Sequence, residues 1–396
     1  MNINTIKNDF PFFKDNDLVY LDSGATAQKP QVVLESMNNF YKTYCANIHR
    51  AGHGLGNKAT KKYEESRDTV AKFLNTNNKD EIVFTSGSTE GINLVANSYV
   101  KNNFEHVIIS VLEHHSNIVP WQIIDKPLHV IDYNDNLSVN LAHYKKLLEM
   151  YPNSFVSLTQ TSNAFGLTLP IKQMIKMAHK YGCKVLVDAA QSSVHEKIDV
   201  KDLDADFLVI SAHKLYGPTG IGALYIKKEL HEKCKPYQGG GGSIIEVDHT
   251  KTTYMDIPYM YEAGTQNIAG AIGFASALDY MQSIGFDFIQ RHEKELINYA
   301  HKKLLHVKDI ITYSDTQNAI GNISFNIEGI HHHDLGILLD KQKVQVRVGH
   351  HCVQPTMKHL GIDGTVRISF GLYNTKEDID IFFNALELSI KMLKDY

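Results

Sequence analysis

The stretch "DFLVISAHKLYGPTGIGALYI" (206–226) gives the clearest indication of the fold, because two apolar runs enclose a polar turn that carries a lysine. "DFLVI" (206–210) and "GALYI" (222–226) are apolar along their length, as are strands that are buried on both faces of a sheet. Lys214 stands in the turn, just after the first run. A partly buried lysine loses basicity and becomes a usable amine nucleophile.

Apolar β-branched runs alternate with helix-like stretches on the N-terminal side of this segment. The further candidate strands are "LVYLD" (18–22), "EIVFT" (81–85), "HVIISV" (106–111), "SFVSLT" (154–159) and "KVLVD" (184–188). Helical segments are expected between them at 31–44, 88–100 and 171–182. Continuous apolar strands separated by helices predict an α/β domain with a mainly parallel sheet covered on both faces.

The remainder of the chain has a different pattern. A loop-rich stretch at 237–258 precedes two long helical segments, and the tail then alternates strands with helices as a smaller α+β domain does. The sequence therefore predicts a large domain at 18–280 and a small domain made of 1–17 and 281–396.

The composition excludes several classes of protein. With 396 residues, 43% hydrophobic and 21% charged, the chain has the profile of an ordinary globular protein. A formal net charge of -4 without a basic block argues against nucleic acid as a partner. No apolar run approaches the roughly 20 residues that span a bilayer. The N-terminus lacks the apolar region of a signal peptide, so we expect a cytoplasmic protein with no membrane partner.

The four cysteines are Cys45, Cys183, Cys234 and Cys352. They are too sparse for a disulfide scaffold and form no C-x-x-C pair, so free thiols are expected. Cys352 lies in "VRVGHHCVQP" (346–355) and could be a zinc ligand, a disulfide partner, a buried filler or a nucleophile. Neighbouring side chains of an extended segment point in opposite directions, so "GHHC" is a poor metal site and no metal is expected.

Polar and ionisable residues follow each predicted strand, where ligands bind in open α/β sheets. "TSGSTE" (85–90) suits a phosphate at a helix start, although taken alone a plain N-cap is the favoured interpretation. Asp188 is either a structural cap or the carboxylate partner of a pyridinium nitrogen, and His114 is either structural or able to stack on a planar ring. A phosphate site, an acid and Lys214 on one sheet edge are what pyridoxal 5'-phosphate (PLP) requires.

With these residues identified, the whole chain resembles the class V aminotransferase-like PLP enzymes, and within them the SufS-type (group II) cysteine desulfurases. The resemblance implies a fold type I PLP-dependent transferase. The stretches that carry it are "YLDSGATAQKP" (20–30), "HRAGHGL" (49–55), "GSTEGINLVA" (87–96), "EHHSNIVPW" (113–121), "TSNAFG" (161–166), "VDAAQS" (187–192), "SAHKLYGPTGIGALY" (211–225), "YEAGTQN" (261–267), "VRVGHHC" (346–352) and "RISFGLYNT" (367–375).

The resemblance also implies the role of each site residue. Lys214 would hold PLP and move a proton, with His114 stacked on the ring as a further catalytic residue. Cys352 would accept the sulfur, and Arg367 would bind the substrate carboxylate, with Asn163 and Arg347 beside it. The remaining cofactor-binding residues would be Ser88, Thr89, Asn163, Asp188, Gln191, Ser211, His213 and, from the neighbouring subunit of a homodimer, Thr265.

The activity that the resemblance implies is conversion of L-cysteine to L-alanine, with a persulfide left on Cys352 for a sulfur-acceptor protein of iron–sulfur cluster assembly. Two other enzymes use the same scaffold, a selenocysteine lyase and a cysteine sulfinate desulfinase, and neither needs Cys352. A catalytically idle partner of a sulfur-carrier protein is the non-enzyme alternative. A plain transaminase would leave Cys352 without a purpose.

Overall fold

The structure is a computed structural model, and it describes residues 6–50, 52–134, 137–314 and 319–394. The chain divides into two compact units. The first lies within Met1–Gln31, Thr161–Leu169 and Ile284–Tyr396, and the second within Val32–Gln160 and Pro170–Ser283. Compact units need not coincide with folding domains, so the boundaries expected at 18 and 281 remain a prediction.

The strands are short and belong to four sheets in the described part of the chain. In chain order they are β1 (Val19–Tyr20), β2 (Ile82–Thr85), β3 (Val107–Ser110), β4 (Leu128–Ile131), β5 (Phe155–Thr159), β6 (Lys184–Asp188), β7 (Phe207–Ser211), β8 (Gly222–Ile226), β9 (Ile244–Val247), β10 (Thr252–Tyr254), β11 (Ile310–Thr312), β12 (Asn322–Ile327), β13 (Val344–Gln345), β14 (Arg347–Gly349) and β15 (Thr365–Ser369).

The α-helices range from single turns to five turns or more. They are Phe12–Asp15, Gln31–Thr43, Gly54–Leu74, Ser88–Val95, Lys101–Asn103, Val119–Ile123, Leu141–Met150, Ile171–His179, Ser192–His195, Val200–Leu203, Ile268–Ile284, Phe286–Leu304, His332–Lys341, Gln354–His359 and Lys376–Lys394. Among the described residues, none of these helices is both long and apolar enough to cross a membrane.

The second unit is built on one large sheet. Seven of the described strands form it, in the order β2-β8-β7-β6-β5-β3-β4. Strands β3 to β7 pair in parallel, whereas β8 runs antiparallel to both of its neighbours. Only residues 212–221 connect β7 to β8, which is too short for the crossover that parallel strands need. The predicted α/β fold with a mainly parallel sheet is therefore confirmed.

The buried core of this unit holds the carboxyl ends of the strands in place. Strands β2, β3, β5, β7 and β8 are buried at every residue. Burial of each large apolar side chain stabilises the fold by about 1.5–3 kcal/mol. The helix Ser88–Val95 packs tightly on this sheet, since a Cβ on Gly91 would lie 2.8 Å from Val209 Cγ1. That close approach fixes the start of the helix at the carboxyl ends of the strands.

The first unit contains a four-stranded antiparallel sheet in the order β11-β12-β15-β14, counted over the described residues. "LVYLD" was expected alongside the strands of the large sheet, but β1 instead pairs in parallel with β13 in the first unit. Val19 and Leu21 are buried in the core of that unit, together with Val344 and Ile368. Because these apolar side chains pack together, β1 pairs with β13 rather than with a strand of the large sheet.

Candidate active site

Lys214 and Asp188 lie at the carboxyl ends of neighbouring strands of the large sheet. Lys214 follows β7 in a tight turn and is half-buried, and Asp188 is the last residue of β6 and is 6% exposed. The Ala190 N–H donates a 3.0 Å hydrogen bond to Asp188 Oδ1. Burial raises the pKa of Asp188, while the Lys214 ammonium and the Ala190 bond act in the opposite direction. The sheet therefore brings the predicted acid and amine within electrostatic reach of each other.

Gln191 is buried three residues beyond the end of β6 and has unused hydrogen-bonding capacity. Its Nε2 lies 3.3 Å from His195 Nε2, and its Oε1 has no hydrogen-bond partner among the residues that the structure describes. A buried amide with one unsatisfied end is costly unless a ligand completes it. Because the two ends of a Gln amide are interchangeable by a flip, this side chain can offer a donor to a ring hydroxyl.

The start of the helix Ser88–Val95 forms a hydroxyl-rich cluster with the end of β7. The Ser88 N–H donates to Ser211 Oγ at 2.8 Å, and the two Oγ atoms are 2.9 Å apart. A side chain on Gly222 would clash, since its Cβ would lie 2.7 Å from Gly87 Cα. The positive end of the helix dipole and two hydroxyls at one point suit a phosphate group.

His114 and Thr89 are joined through Ser116, a residue that the sequence analysis did not single out. Thr89 Oγ1 lies 2.8 Å from Ser116 Oγ, which is 3.0 Å from His114 Nδ1. The Ser116 N–H donates to the same Nδ1 at 3.1 Å. Because Nδ1 accepts this backbone bond, the neutral imidazole carries its proton on Nε2.

Glu113 is a second buried carboxylate that sequence reasoning missed. It is fully buried, and the Thr159 N–H donates to both of its oxygens, at 2.9 and 2.8 Å. Ser110 Oγ and Asn117 Nδ2 donate to it as well. Burial raises the pKa of Glu113 to about 7 against the effect of these donors. The motif "EHHSN" contains this residue, but its position directly before His114 gives no local sign of burial.

The first unit holds the predicted substrate-binding arginine. Arg367 lies on β15, is 1% exposed, and donates through Nη2 to Asp22 Oδ1 and through Nη1 to the Asn163 carbonyl, both at 2.8 Å. Its Nε is buried and without a hydrogen-bond partner in the described part of the chain. Burial lowers the pKa of Arg367, while Asp22 opposes that effect. A guanidinium with spare donor capacity suits recognition of a carboxylate.

Cys352 is half-buried in the first unit, whereas Cys183 and Cys234 are buried and Cys45 is exposed. Arg347 Nη2 lies 4.0 Å from the Cys352 sulfur. A half-buried thiol remains accessible to a substrate. By contrast, burial raises the pKa of Cys183 and of Cys234 to about 11 each, which keeps both thiols protonated and inert.

Three further predicted site residues have different surroundings. Thr265 is exposed and lines a 730 Å³ cavity of the second unit together with His49, Arg50 and Ile244. His213 is half-buried in the Lys214 turn. Asn163 belongs to the first unit with Arg367, whereas the other cofactor residues belong to the second. Its Nδ2 donates to the His351 carbonyl at 2.7 Å.

Comparison with known proteins supplies the family. The aminotransferase class-V model matches residues 19–382. The chain belongs to the class-V aminotransferase family. It is 42% identical to a probable cysteine desulfurase of Halalkalibacterium halodurans over 98% of each chain. The resemblance to cysteine desulfurases predicted from the motifs is confirmed.

Solved structures agree with this placement. The apo cysteine desulfurase of Thermococcus onnurineus NA1 superposes with a TM-score of 0.93 at 37% identity, over 100% of this chain and 99% of that one. The cysteine desulfurase CsdA of Escherichia coli, in an S-sulfonic acid form, gives 0.91 at 35% identity, over 99% of both chains. The fold is therefore fold type I of the PLP-dependent enzymes, and the family is PLP-dependent.

Proposed function

We propose that this chain is a PLP-dependent cysteine desulfurase that converts L-cysteine to L-alanine and keeps the sulfur as a persulfide on Cys352. The observation that carries the proposal is the half-buried Cys352 thiol beside Arg347, in a chain whose full-length relatives are named cysteine desulfurases. A plain transaminase or a lyase would not need this thiol.

The residues of the second unit fit PLP. Lys214 would hold it covalently, Asp188 would face the pyridinium nitrogen, Gln191 would meet the ring hydroxyl and His114 would stack on the ring. The phosphate would lie at the hydroxyl cluster, held by Ser88, Thr89, Ser211 and His213. Bound there, PLP supplies an electron sink next to the substrate α-carbon. Two observations support this fit: Gln191 Oε1 has no hydrogen-bond partner within the described residues, and the Ser88 and Ser211 hydroxyls meet at the helix start.

The remaining steps fall to the side chains of the protein. Arg367 binds the substrate carboxylate through its planar donors. Asn163 accepts a hydrogen bond from it, and Arg347 is its pairing partner on β14. The Lys214 amine takes the α-proton and returns a proton to carbon. The Cys352 thiolate attacks the substrate sulfur, so that one S–S bond forms as one C–S bond breaks. The cysteine carbon skeleton leaves as alanine, and atoms balance with the persulfide as the second product.

The proposal includes partners and location. A persulfide needs an acceptor, and we expect a sulfur-acceptor protein of iron–sulfur cluster assembly. We expect a homodimer, as the family resemblance implies, in which the exposed Thr265 would reach the cofactor of a second copy. A cytoplasmic location completes the proposal, since a catalytic thiol stays free in a reducing compartment.

The test is a single-turnover reaction of the holoenzyme with L-cysteine, following alanine and protein persulfide together. Wild type should give equal amounts of both, and Cys352→Ala should lose both. Cys45→Ser is the matched control, because it removes an exposed thiol and should change nothing.

Two other outcomes have distinct meanings. Alanine formation that survives Cys352→Ala, or activity on selenocysteine or cysteine sulfinate without Cys352, would replace the proposal with a lyase or desulfinase. A purified protein that binds no PLP would leave only the idle-partner alternative.

A further inference from the structure

The backbone that carries the Cys352 thiol has an unusual conformation. His351 and Cys352 have φ angles of 48° and 58°, so two consecutive residues with side chains lie in the left-handed region. Such a conformation crowds the Cβ atom and persists only where the surroundings enforce it. The contacts that enforce it here are therefore expected to control where the thiol lies.

His351 provides these contacts. Its side chain is 2% exposed, and its Nε2 lies 2.9 Å from Thr365 Oγ1. Its carbonyl accepts a 2.7 Å hydrogen bond from Asn163 Nδ2. Thr365 is fully buried at the start of β15, the strand that also carries Arg367. The His351 imidazole therefore connects the segment that carries Cys352 to β15 through a hydrogen bond.

The interaction between His351 and β15 depends on hydrogen bonding and packing rather than on charge. Burial, followed by the Arg367 and Arg347 guanidinium groups, lowers the pKa of His351 to about 2, so the ring is neutral at working pH. Its Nδ1 is buried and has no hydrogen-bond partner among the described residues. The Thr365 hydroxyl is thus the one hydrogen-bond partner that the structure records for the ring.

We propose that His351 is a positioning residue for the sulfur-accepting thiol. The His351–Thr365 hydrogen bond holds Cys352 in its left-handed conformation near Arg347, and loss of that bond releases the segment 346–355 and exposes the thiol. The inference rests on the proposed function only in calling Cys352 the sulfur acceptor. The His351–Thr365 hydrogen bond and its effect on the backbone of Cys352 do not depend on that function.

The two partners allow matched variants. Thr365→Val keeps the shape and removes the hydroxyl, whereas Thr365→Ser keeps the hydroxyl. His351→Gln can place its amide near the position of Nε2, whereas His351→Ala cannot. All four are made in a Cys45→Ser background, because Cys183 and Cys234 are buried and Cys352 is then the accessible thiol among the four.

The measurements are the alkylation rate of Cys352 in the holoenzyme with iodoacetamide, followed by peptide mass, and hydrogen exchange over residues 346–355. Thr365→Val and His351→Ala should raise the alkylation rate at least threefold and speed exchange in this segment. Thr365→Ser should match the parent protein, and His351→Gln should return most of the way to it. Exchange elsewhere in the first unit should stay unchanged.

Parent-like alkylation in Thr365→Val and His351→Ala would overturn the proposal, and so would faster exchange spread evenly over the first unit. Neither measurement requires turnover. A wild-type protein that fails to desulfurate cysteine but passes this test would contradict the proposed function and leave the positioning role intact.

Discussion

The buried neutral imidazole of His351 should make the stability of the protein depend on pH. Its pKa in the folded protein is lowered to about 2, first by burial and then by Arg367 and Arg347. In the unfolded chain a histidine titrates near pH 6.5. The perturbation is a fall in pH from about 7.5 to about 5, applied to wild type and to His351→Gln, which retains a hydrogen-bonding side chain and cannot titrate.

The sign follows from which state binds the proton. Between about pH 6.5 and about pH 2 the unfolded chain protonates this histidine while the folded protein does not, so acid favours unfolding. The stabilisation is present above the unfolded pKa and is lost as pH falls toward the folded one. Each pH unit in this window costs about 1.36 kcal/mol, so His351 should contribute a loss of roughly 2 kcal/mol by pH 5.

The assay is urea unfolding of the holoenzyme at both pH values, with the change in unfolding free energy compared between variants. His351→Gln should lose about 2 kcal/mol less than wild type on acidification. His359→Gln removes an exposed histidine and should behave as wild type does. The reasoning is refuted if His351→Gln and wild type lose the same free energy, because the ring would then titrate in the folded protein.

Three further predictions concern other buried groups. Glu113→Gln should remove a pH dependence of opposite sign. Burial raises the pKa of Glu113 from 4.5 to about 7, so wild type should lose roughly 2.4 kcal/mol between about pH 5 and 7.5. Urea unfolding at these two pH values measures the difference between the variants. Arg367→Lys should raise KM for L-cysteine at least about tenfold with an unchanged cofactor absorbance, because lysine lacks the planar guanidinium that binds a carboxylate through two donors. Steady-state kinetics test this prediction, and an unchanged KM would contradict it. Glu262→Gln should lower the free energy of unfolding by about 3–5 kcal/mol, as measured by thermal unfolding, because it breaks a buried ion pair with Arg67. Arg67 Nη1 and Nη2 lie 2.6 and 2.8 Å from the Glu262 oxygens. Glu65→Gln, in an exposed pair, is the control and should lower the free energy of unfolding by less than about 1 kcal/mol.

The strands of the large sheet could be predicted closely where both faces are buried. "KVLVD" and "GALYI" coincide with β6 and β8, because their apolar side chains have no other place in a folded chain. β4 was missed, since it lies at the sheet edge, is mostly half-exposed and therefore lacks a continuous apolar run. The pairing of β1 with β13 depends on contacts between residues more than 300 positions apart, which a local pattern does not encode.

The candidate site was predictable where chemistry follows directly from a strand end. Lys214 and Asp188 were found in this way, and the structure places them at neighbouring strands. Glu113 and Ser116 were not found, because a glutamate and a serine in a polar turn resemble solvated residues until the buried donors around them are known. Their partners come from β5 and from the helix at Ser88, so only the folded chain identifies them.

The residues around the thiol show a more specific limit of sequence reasoning. "GHHC" was analysed as an extended segment whose neighbouring side chains point in opposite directions. The backbone is instead left-handed at His351 and Cys352, so His350 Nδ1 accepts the Cys352 N–H at 3.3 Å while His351 turns into the core. Histidine tolerates the left-handed region better than most residues do, but the sequence does not predict two such residues in succession.

These features leave the Cys352 segment held by a narrow margin. Two left-handed residues cost roughly 2–4 kcal/mol together. Against this stand four hydrogen bonds at roughly 1 kcal/mol each. Two join His351 to Thr365 and Asn163, and the Cys352 and Val353 N–H groups donate to His350 Nδ1 and to its carbonyl. Because the two sums are similar, loss of one hydrogen bond is enough to shift the balance towards release of the segment. Asn163 donates to the His351 carbonyl and accepts from Arg367. If substrate engages the Asn163 amide, we therefore expect one of these stabilising bonds to be lost and the thiol to be released more easily.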